Sequence, residues 1–151
     1  MRPPWGYGTF THGADQGVAN NDPKKSILLV EDDADLVELA TRWLERDGYA
    51  VRSVTDGQVA LDLLAADPLP DLVLLDVMLP HITGFDVLKR LRADARTREL
   101  PVVLVTSLTR EKDEKRGREL GATDYIVKPL MRLDFLKRVA QAVGRSGTGG
   151  D

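Results

Sequence analysis

Several side chains that could do polar chemistry follow short apolar runs in this sequence. They are Glu31, Asp32, Asp76, Thr106 and Lys128. Carboxylates that share one site repel each other, and two of them ~5 Å apart at an effective dielectric of ~20 repel by roughly 3 kcal/mol. Such a group raises the pKa of one member or recruits a cation. Oxygen ligands without His or Cys suit a hard ion such as Mg²⁺.

The apolar runs themselves have the pattern of buried parallel strands. They are short and mostly continuous rather than alternating, which is typical of strands covered on both faces. The stretches between them have helical periodicity, so strand and helix alternate along the chain. This alternation predicts an α/β fold, a doubly wound five-stranded parallel sheet with five helices. The runs span residues 27–30, 50–54, 72–75, 102–105 and 125–127.

The ends of the predicted strands decide where the chemistry lies. In a doubly wound sheet, ligands bind beyond the carboxyl ends of the strands, near the point where the strand order reverses. The carboxylates, Thr106 and Lys128 each follow a run, so we expect them at that end of the sheet. A lone Asp there is more often a helix cap, which is our interpretation of Asp33. Neither His12 nor His81 indicates a metal or catalytic site.

Four of the predicted helices carry an apolar stripe at helical spacing. Gly48 predicts the end of the first helix, and Thr55 or Asp56 is the candidate cap of the second. The fourth helix, 111–119, contains Gly117 and no large apolar residue, so we expect it to be mobile. The stripe of the second helix is Val59, Ala60, Leu63 and Leu64, and that of the fifth is Leu133, Leu136, Val139, Ala140 and Val143.

The two ends of the chain differ in composition from the middle. Residues 1–23 are rich in Gly, Pro, Asn and Thr without any period, which predicts a disordered N-terminal tail. The alternatives are a docking peptide anchored by Trp5, Tyr7 and Phe10, or a misassigned start. Residues 144–151 are predicted to be a flexible C-terminal tail. The folded domain is therefore expected to span residues 24–143.

The composition gives no sign of a nucleic-acid or membrane partner. The net charge is −3 and no cluster of Lys or Arg indicates a nucleic-acid surface, so we predict no direct contact with nucleic acid. No apolar run approaches the roughly 20 residues that span a bilayer, and the N-terminus lacks the apolar core of a secretory signal. The chain has no cysteine, which fits a reducing compartment. These features predict a cytoplasmic protein without a membrane partner.

The order and spacing of five motifs resemble the receiver domain of two-component response regulators. The resemblance covers about residues 26–143, and it implies a flavodoxin-like receiver fold of the stand-alone, single-domain type. No single motif is specific, but their placement after successive strands is. The motifs are Val30-Glu31-Asp32-Asp33, the segment 71–80 with Gly84, Thr106-Ser107, the segment 121–125, and Lys128-Pro129.

The resemblance implies a role for each matching residue in the reaction. Asp76 matches the phosphoacceptor, and Lys128 matches the lysine that pairs with the phosphoryl oxygens. Pro129 matches a proline that often follows a cis peptide bond in the family. Mg²⁺ or Mn²⁺ would be held by four groups, which are Glu31, Asp32, Asp76 and the main-chain carbonyl of Met78. The first acid is Glu here, which is a common variant of Asp.

The resemblance also implies which residues form a conformational switch and which affect the lifetime of the phosphoryl group. Thr106 matches the hydroxyl that moves toward the phosphoryl group, and Tyr125 matches the aromatic residue that fills the space it leaves. Met78 and Leu108 occupy the two positions that flank the path of attacking water in this family. Neither side chain can orient a water molecule, and both can exclude one. We therefore predict slow self-dephosphorylation.

Together these features predict a single-domain response regulator rather than an enzyme. It would accept a phosphoryl group from a histidine kinase on Asp76, by Mg-dependent self-phosphorylation, and would then switch the binding of a partner protein. The alternatives are a relay to a histidine phosphotransfer protein and a phosphate sink. An aspartate-nucleophile phosphatase would need an acid at Met78. A flavin or nucleotide module would need a Gly- or Ser/Thr-rich loop at 31–33.

Overall fold

The computed structural model describes residues 23–66 and 68–144, in which strand and helix alternate as predicted. Each strand is followed by one helix, so the predicted α/β architecture is confirmed. The strands are β1 (Ser26–Val30), β2 (Ala50–Val54), β3 (Leu72–Asp76), β4 (Val102–Thr106) and β5 (Asp124–Val127). The helices are α1 (Ala34–Arg46), α2 (Gly57–Leu64), α3 (Gly84–Ala93), α4 (Glu111–Glu119) and α5 (Arg132–Gly144).

The five strands form one parallel sheet in the order β2-β1-β3-β4-β5. The order reverses between β1 and β3, where Val30 pairs with Leu75. This switch point lies beside the acidic residues that follow β1 and end β3. Asp76 and Thr106 are themselves the last residues of β3 and β4, so each strand ends one residue later than the apolar run suggested. The predicted doubly wound sheet is therefore confirmed.

The core has two layers, one on each face of the sheet. Alternate residues of β1 supply them: Leu28 and Val30 pack with α2 and α3, whereas Ile27 and Leu29 pack with α1 and α5. All five residues of β3 are buried. Each fully buried Leu or Ile side chain contributes roughly 1.5–3 kcal/mol to folding. The central strands are thus fixed by burial on both faces, as the continuous apolar runs predicted.

Local side chains set the helix ends that border the site. Asp33 is the N-cap of α1, and its carboxylate accepts from the main-chain N–H groups of Asp35 at 3.0 Å and Leu36 at 3.3 Å. Asp56 caps α2 in the same way, which resolves the choice between Thr55 and Asp56. Gly48 follows α1 with φ at +99°, a conformation that favours glycine. The predicted cap at Asp33 and stop at Gly48 are confirmed.

The buried faces of α2 and α5 differ from the predicted stripes. Leu133 is 74% exposed and Ala140 is exposed, because α5 presents a face rotated from the expected one. Phe135 lies on the buried face of α5, and the centroid of its ring is 6.1 Å from that of the Trp43 ring on α1. In α2, Val59 is 47% exposed. The residues that are buried are Phe135, Val139, Ala142 and Val143 in α5, and Gly57, Ala60 and Leu64 in α2.

The predictions for the chain ends fall almost entirely outside the described residues. Of the two predicted tails, only Pro23 and Gly144 are described, and Gly144 is the last residue of α5. Among the described helices, none has both the length and the apolar character to cross a bilayer. The mobility of α4 stays a prediction.

Candidate functional site

Three carboxylates converge at the carboxyl end of the sheet. Glu31 and Asp32 follow β1 and Asp76 ends β3, and one oxygen from each lies within 4.8 Å of the others. Glu31 is 2% exposed and Asp76 is 3% exposed, whereas Asp32 is exposed. All donors are carboxylate oxygens, the ligands that Mg²⁺ and Mn²⁺ accept at an open site. The residues present therefore fit a hard divalent cation.

The side chain of Lys128, the first residue after β5, reaches this acidic group. Its ammonium nitrogen lies 3.0 Å from Glu31 Oε1 and 3.2 Å from Asp76 Oδ2. The main-chain N–H of Lys128 donates to the carbonyl of Thr106 at 2.8 Å, so the start of the β5–α5 loop is bonded to the end of β4. The peptide bond between Lys128 and Pro129 is cis. Two of the three predicted carboxylates, Glu31 and Asp76, are thus in direct contact with the predicted lysine.

Burial and charge act in opposite directions on the two partners of this ion pair. Burial disfavours the ammonium of Lys128, but its hydrogen bond to Glu31 and the charges of Asp76 and Glu31 outweigh burial and raise its pKa above 10.5. Burial raises the pKa of Glu31 above 4.5, and the charge of Asp76 adds to that rise against the opposing effect of Lys128. Within the described part of the chain, three carboxylates lie near the single ammonium of Lys128.

The loop after Asp76 orients its carboxylate. The main-chain N–H of Met78 donates to Asp76 Oδ1 at 3.0 Å, while Oδ2 faces Lys128. Gly84, at the start of α3, lies so close to Asp76 that a Cβ there would overlap the Asp76 carbonyl oxygen and lie 2.8 Å from Val77 Cα. The N–H of Gly84 also donates to Val77 O at 2.9 Å. Glycine is required at this position because backbone occupies the space of a side chain.

Two hydroxyl groups hold the segment that follows β4. Thr106 is fully buried, and its Oγ1 accepts from the main-chain N–H of Leu108 at 3.2 Å. The hydroxyl of Tyr125 donates to the carbonyl oxygen of Leu108 at 3.0 Å, and Tyr125 is 4% exposed. Burial, with the charge of Asp113 adding to it, raises the pKa of Tyr125. The residues that the resemblance paired as a switch therefore contact the same residue.

Sequence reasoning assigned no contact to two residues that shape this region. Gly84 entered only as part of a motif, and Gly117 only as a weakness of α4. For Gly117 the available signal was an isolated glycine inside a helical pattern, which points to close packing when the helix nevertheless forms. Both glycines are buried against the sheet or the loop that carries the predicted site.

Comparison with known proteins places this geometry in a family. A family model described as the response regulator receiver domain matches residues 27–140. The chain belongs to the family of response regulator receiver domains. Receiver domains bind Mg²⁺ through an acidic pocket, and Glu31, Asp32 and Asp76 form an acidic group that could hold a metal ion. The resemblance read from the motifs is therefore confirmed.

Individual relatives agree in fold and differ in length. The transcriptional regulatory protein CpxR of Escherichia coli is 43% identical over 120 residues, which cover 80% of this chain and 50% of CpxR. A putative response regulator from Chloroflexus aurantiacus superposes with a TM-score of 0.78 at 32% identity, covering 82% of this chain and 100% of that one. The Mn²⁺-bound form of the response regulator Rcp1 gives a TM-score of 0.68 at 29% identity, covering 82% and 91%. This receiver domain spans about half the length of the curated relatives it matches.

Proposed function

We propose that this receiver domain accepts a phosphoryl group from a histidine kinase on Asp76. The observation that carries the proposal is the contact of the buried Asp76 carboxylate with the ammonium of Lys128 at 3.2 Å. A carboxylate oxygen forms the new O–P bond as the N–P bond of the donor's phosphohistidine breaks, and the bonding pair stays on the imidazole nitrogen. Lys128 then faces the negative charge that gathers on the equatorial phosphoryl oxygens.

The proposed metal ligands are Glu31, Asp32, Asp76 and the main-chain carbonyl of Met78. A dication bound there supplies the positive charge that offsets the transferring phosphoryl group. The negative charge of the three carboxylates, which Lys128 offsets only in part, supports this assignment. So does the structural likeness to Rcp1, whose solved form is Mn²⁺-bound. The chain's own residues keep Asp76 oriented through Met78 N–H and Lys128.

We propose further that Thr106 and Tyr125 transmit the modification to the surface. A phosphorylated carboxylate adds about −1.5 to −2 charges and new acceptor oxygens, taking other phosphorylated side chains as a guide. The hydroxyl of Thr106 can donate to such an oxygen, and doing so changes the bond it now accepts from Leu108 N–H. The Tyr125 hydroxyl donates a hydrogen bond to the carbonyl oxygen of Leu108, so Tyr125 responds to the same change.

The proposed output is the binding of a partner protein, with relay to a histidine phosphotransfer protein as the alternative. The surface around α4 and β5 supports the first proposal because Tyr125 lies beneath it. RpaA of Synechocystis is named as a DNA-binding regulator, but the match covers only 49% of that protein. The prediction that this chain does not contact nucleic acid directly therefore stays a prediction, as does its cytoplasmic location.

The decisive experiment is intact mass measurement after incubation with Mg²⁺ and acetyl phosphate. Wild type should gain the mass of one phosphoryl group, and Asp76→Asn should gain none. Asp86→Asn is the matched control, since Asp86 is an exposed carboxylate in the first turn of α3. Lys128→Ala should slow the gain strongly while leaving the fold intact. A wild-type protein that never gains the mass, or an Asp76→Asn variant that gains as much, would refute the proposal.

A further inference from the structure

Helix α4 is held on the sheet by few side chains. Of its nine residues only Asp113 and Gly117 are buried. Asp113 is paired within the same segment, with Arg110 at 3.0 Å, so it does not tie the helix to the sheet. Arg118 reaches Asp124 at 3.5 Å, but both partners are partly exposed, and such pairs contribute little. Apart from the Arg116 guanidinium, which lies 4.5 Å from the centroid of the Phe85 ring on α3, Gly117 is therefore the place where α4 meets the core.

The space beside Gly117 is filled by two side chains from the sheet. A Cβ at Gly117 would lie 2.8 Å from Leu104 Cδ1, 3.2 Å from Tyr125 Cδ2 and 3.5 Å from Tyr125 Cε2. Leu104 and Tyr125 are direct partners in the β4–β5 register, so they project side by side from the same face. We call this space beside Gly117, which the side chains of Leu104 and Tyr125 fill, the Gly117 socket.

The same tyrosine also fixes the segment before α4. Its hydroxyl donates to the carbonyl of Leu108 at 3.0 Å while its ring edge faces Gly117. One side chain thus holds the β4–α4 loop at one point and the helix at another. Removing the ring from its present position would free both. Helix α4 would keep its partly exposed ion pairs, the contact of Arg116 with the Phe85 ring and the contact of Gly117 with Leu104.

We propose that Gly117 is a positioning residue, which lets α4 approach the sheet only while the Tyr125 ring occupies the socket. It touches no reacting group and acts through Tyr125. Glycine is among the least favourable residues inside a helix, so close packing against Leu104 and Tyr125 explains its presence here. The meaning of this contact for signalling rests on the proposed switching function, but the contact itself can be tested without any phosphodonor.

A thermal double-mutant cycle on the full chain tests the socket. An added methyl group overpacks it, so Gly117→Ala should lower the Tm by roughly 4–8 °C, the effect of about 1–2 kcal/mol in a domain of this size. Tyr125→Val removes every ring atom beyond Cγ and gives Leu104 room to move. In that background Gly117→Ala should leave the Tm unchanged or raise it. An equal loss in both backgrounds would overturn the proposal and assign the contact to Leu104 alone.

Gly144→Ala provides the matched control for the effect of alanine in a helix. Gly144 is also helical, but a Cβ there would meet nothing within 4 Å. This substitution should leave the Tm unchanged or raise it slightly in both backgrounds. A loss equal to that of Gly117→Ala would show that the socket is not the cause.

Hydrogen exchange of the α4 amides keeps the proposal testable if Gly117→Ala fails to fold. Protection of α4 relative to α5 should fall at least tenfold in Tyr125→Val and much less in Tyr125→Phe, which keeps the ring. Equal loss of protection in α4 and α5 would overturn the proposal.

A last readout separates positioning from mere stability. Acetyl phosphate should still modify Asp76 in Gly117→Ala, but the change in α4 exchange that it causes in wild type should be lost. The same change in both proteins would overturn the proposal. Absence of the mass gain in wild type would instead contradict phosphorylation of Asp76, and the thermal cycle would stand.

Discussion

Thr106 and Tyr125 bind the two polar groups of one residue, Leu108. The Thr106 hydroxyl accepts from its N–H at 3.2 Å, and the Tyr125 hydroxyl donates to its C=O at 3.0 Å. The two side chains come from neighbouring strands, β4 and β5. Their contacts with Leu108 therefore link the end of β4, which borders the site, to β5 without direct contact between the two hydroxyls.

Energetic coupling between these hydroxyls follows from that link. Thr106→Val and Tyr125→Phe should each lower the free energy of unfolding by about 1 kcal/mol, and the double variant should depart from additivity by about 0.5 kcal/mol or more. Urea denaturation measures the free energy of unfolding of the two single variants and the double variant. Thr97→Val is the control, because the buried Thr97 hydroxyl donates to Leu91 O instead. The changes in the free energy of unfolding should be additive for Thr97 with Tyr125. If they are equally additive for Thr106 with Tyr125, Leu108 does not couple the two hydroxyls.

The lifetime of the phosphoryl group should depend on Met78 and Leu108. Replacing Met78 with Asn and Leu108 with Glu supplies polar groups that can orient water, so the half-life should shorten severalfold. The measurement is the decay of the phosphorylated mass after removal of acetyl phosphate. Leu133→Asn controls for the loss of an exposed apolar side chain, since Leu133 is 74% exposed on α5. An unchanged half-life in the double variant would exclude the proposed role of both residues.

A side chain at Gly84 should damage stability and the site together. Gly84→Ala forces a Cβ against the Asp76 carbonyl and Val77 Cα, and backbone there cannot move without moving Asp76. We expect a loss of about 3 kcal/mol in the free energy of unfolding and slower modification of Asp76. Gly144→Ala should show neither effect. A Gly84→Ala protein as stable and as readily phosphorylated as wild type would contradict the close approach.

The raised pKa of Glu31 predicts a dependence of stability on pH and on metal. A carboxyl whose folded pKa lies above 4.5 favours folding while protonated, and that contribution is lost as the pH rises through the folded pKa. In EDTA at about pH 7, Glu31→Gln should therefore be more stable than wild type, and the difference should vanish below about pH 4.

Magnesium should reverse this order of stabilities. Binding to the folded state alone stabilises wild type by about 2.7 kcal/mol when the free ion is at ~100 times its Kd. Glu31→Gln lacks one proposed ligand and should gain less. Thermal melts with and without Mg²⁺ measure both effects, with Asp86→Asn as a control whose gain in stability from Mg²⁺ should equal that of wild type. Equal stabilisation of wild type and Glu31→Gln would remove Glu31 from the proposed metal ligands.

Chain order and residue type were enough to predict which polar residues meet. Parallel strands place their carboxyl ends together, so Glu31, Asp76 and Lys128 had to converge once the five strands were recognised. The apolar stripes were less informative. In α5 the sequence offers one stripe through Leu133 and another through Phe135, and both satisfy helical spacing. The structure buries the stripe through Phe135, whose ring packs in the core beside the ring of Trp43 on α1.

Contacts of glycine could not be predicted for a different reason. Gly84 and Gly117 are each defined by what occupies the space of a missing side chain. Those neighbours lie outside the helix that holds each glycine: Asp76 and Val77 for Gly84, Leu104 and Tyr125 for Gly117. Helical spacing describes only the residue's own element, so it cannot reveal such neighbours. They emerge only when the sheet and its helices are assembled.

The position of each strand in the sheet has a consequence for how the domain opens. β3 is hydrogen-bonded on both sides and buried throughout, whereas β5 pairs with β4 alone. Sub-global unfolding at that margin breaks a single strand ladder, whereas exposing β3 requires loss of the whole domain. Asp76, the proposed phosphoacceptor, thus lies in a strand that is paired on both sides, and Tyr125 lies in an edge strand held by a single ladder.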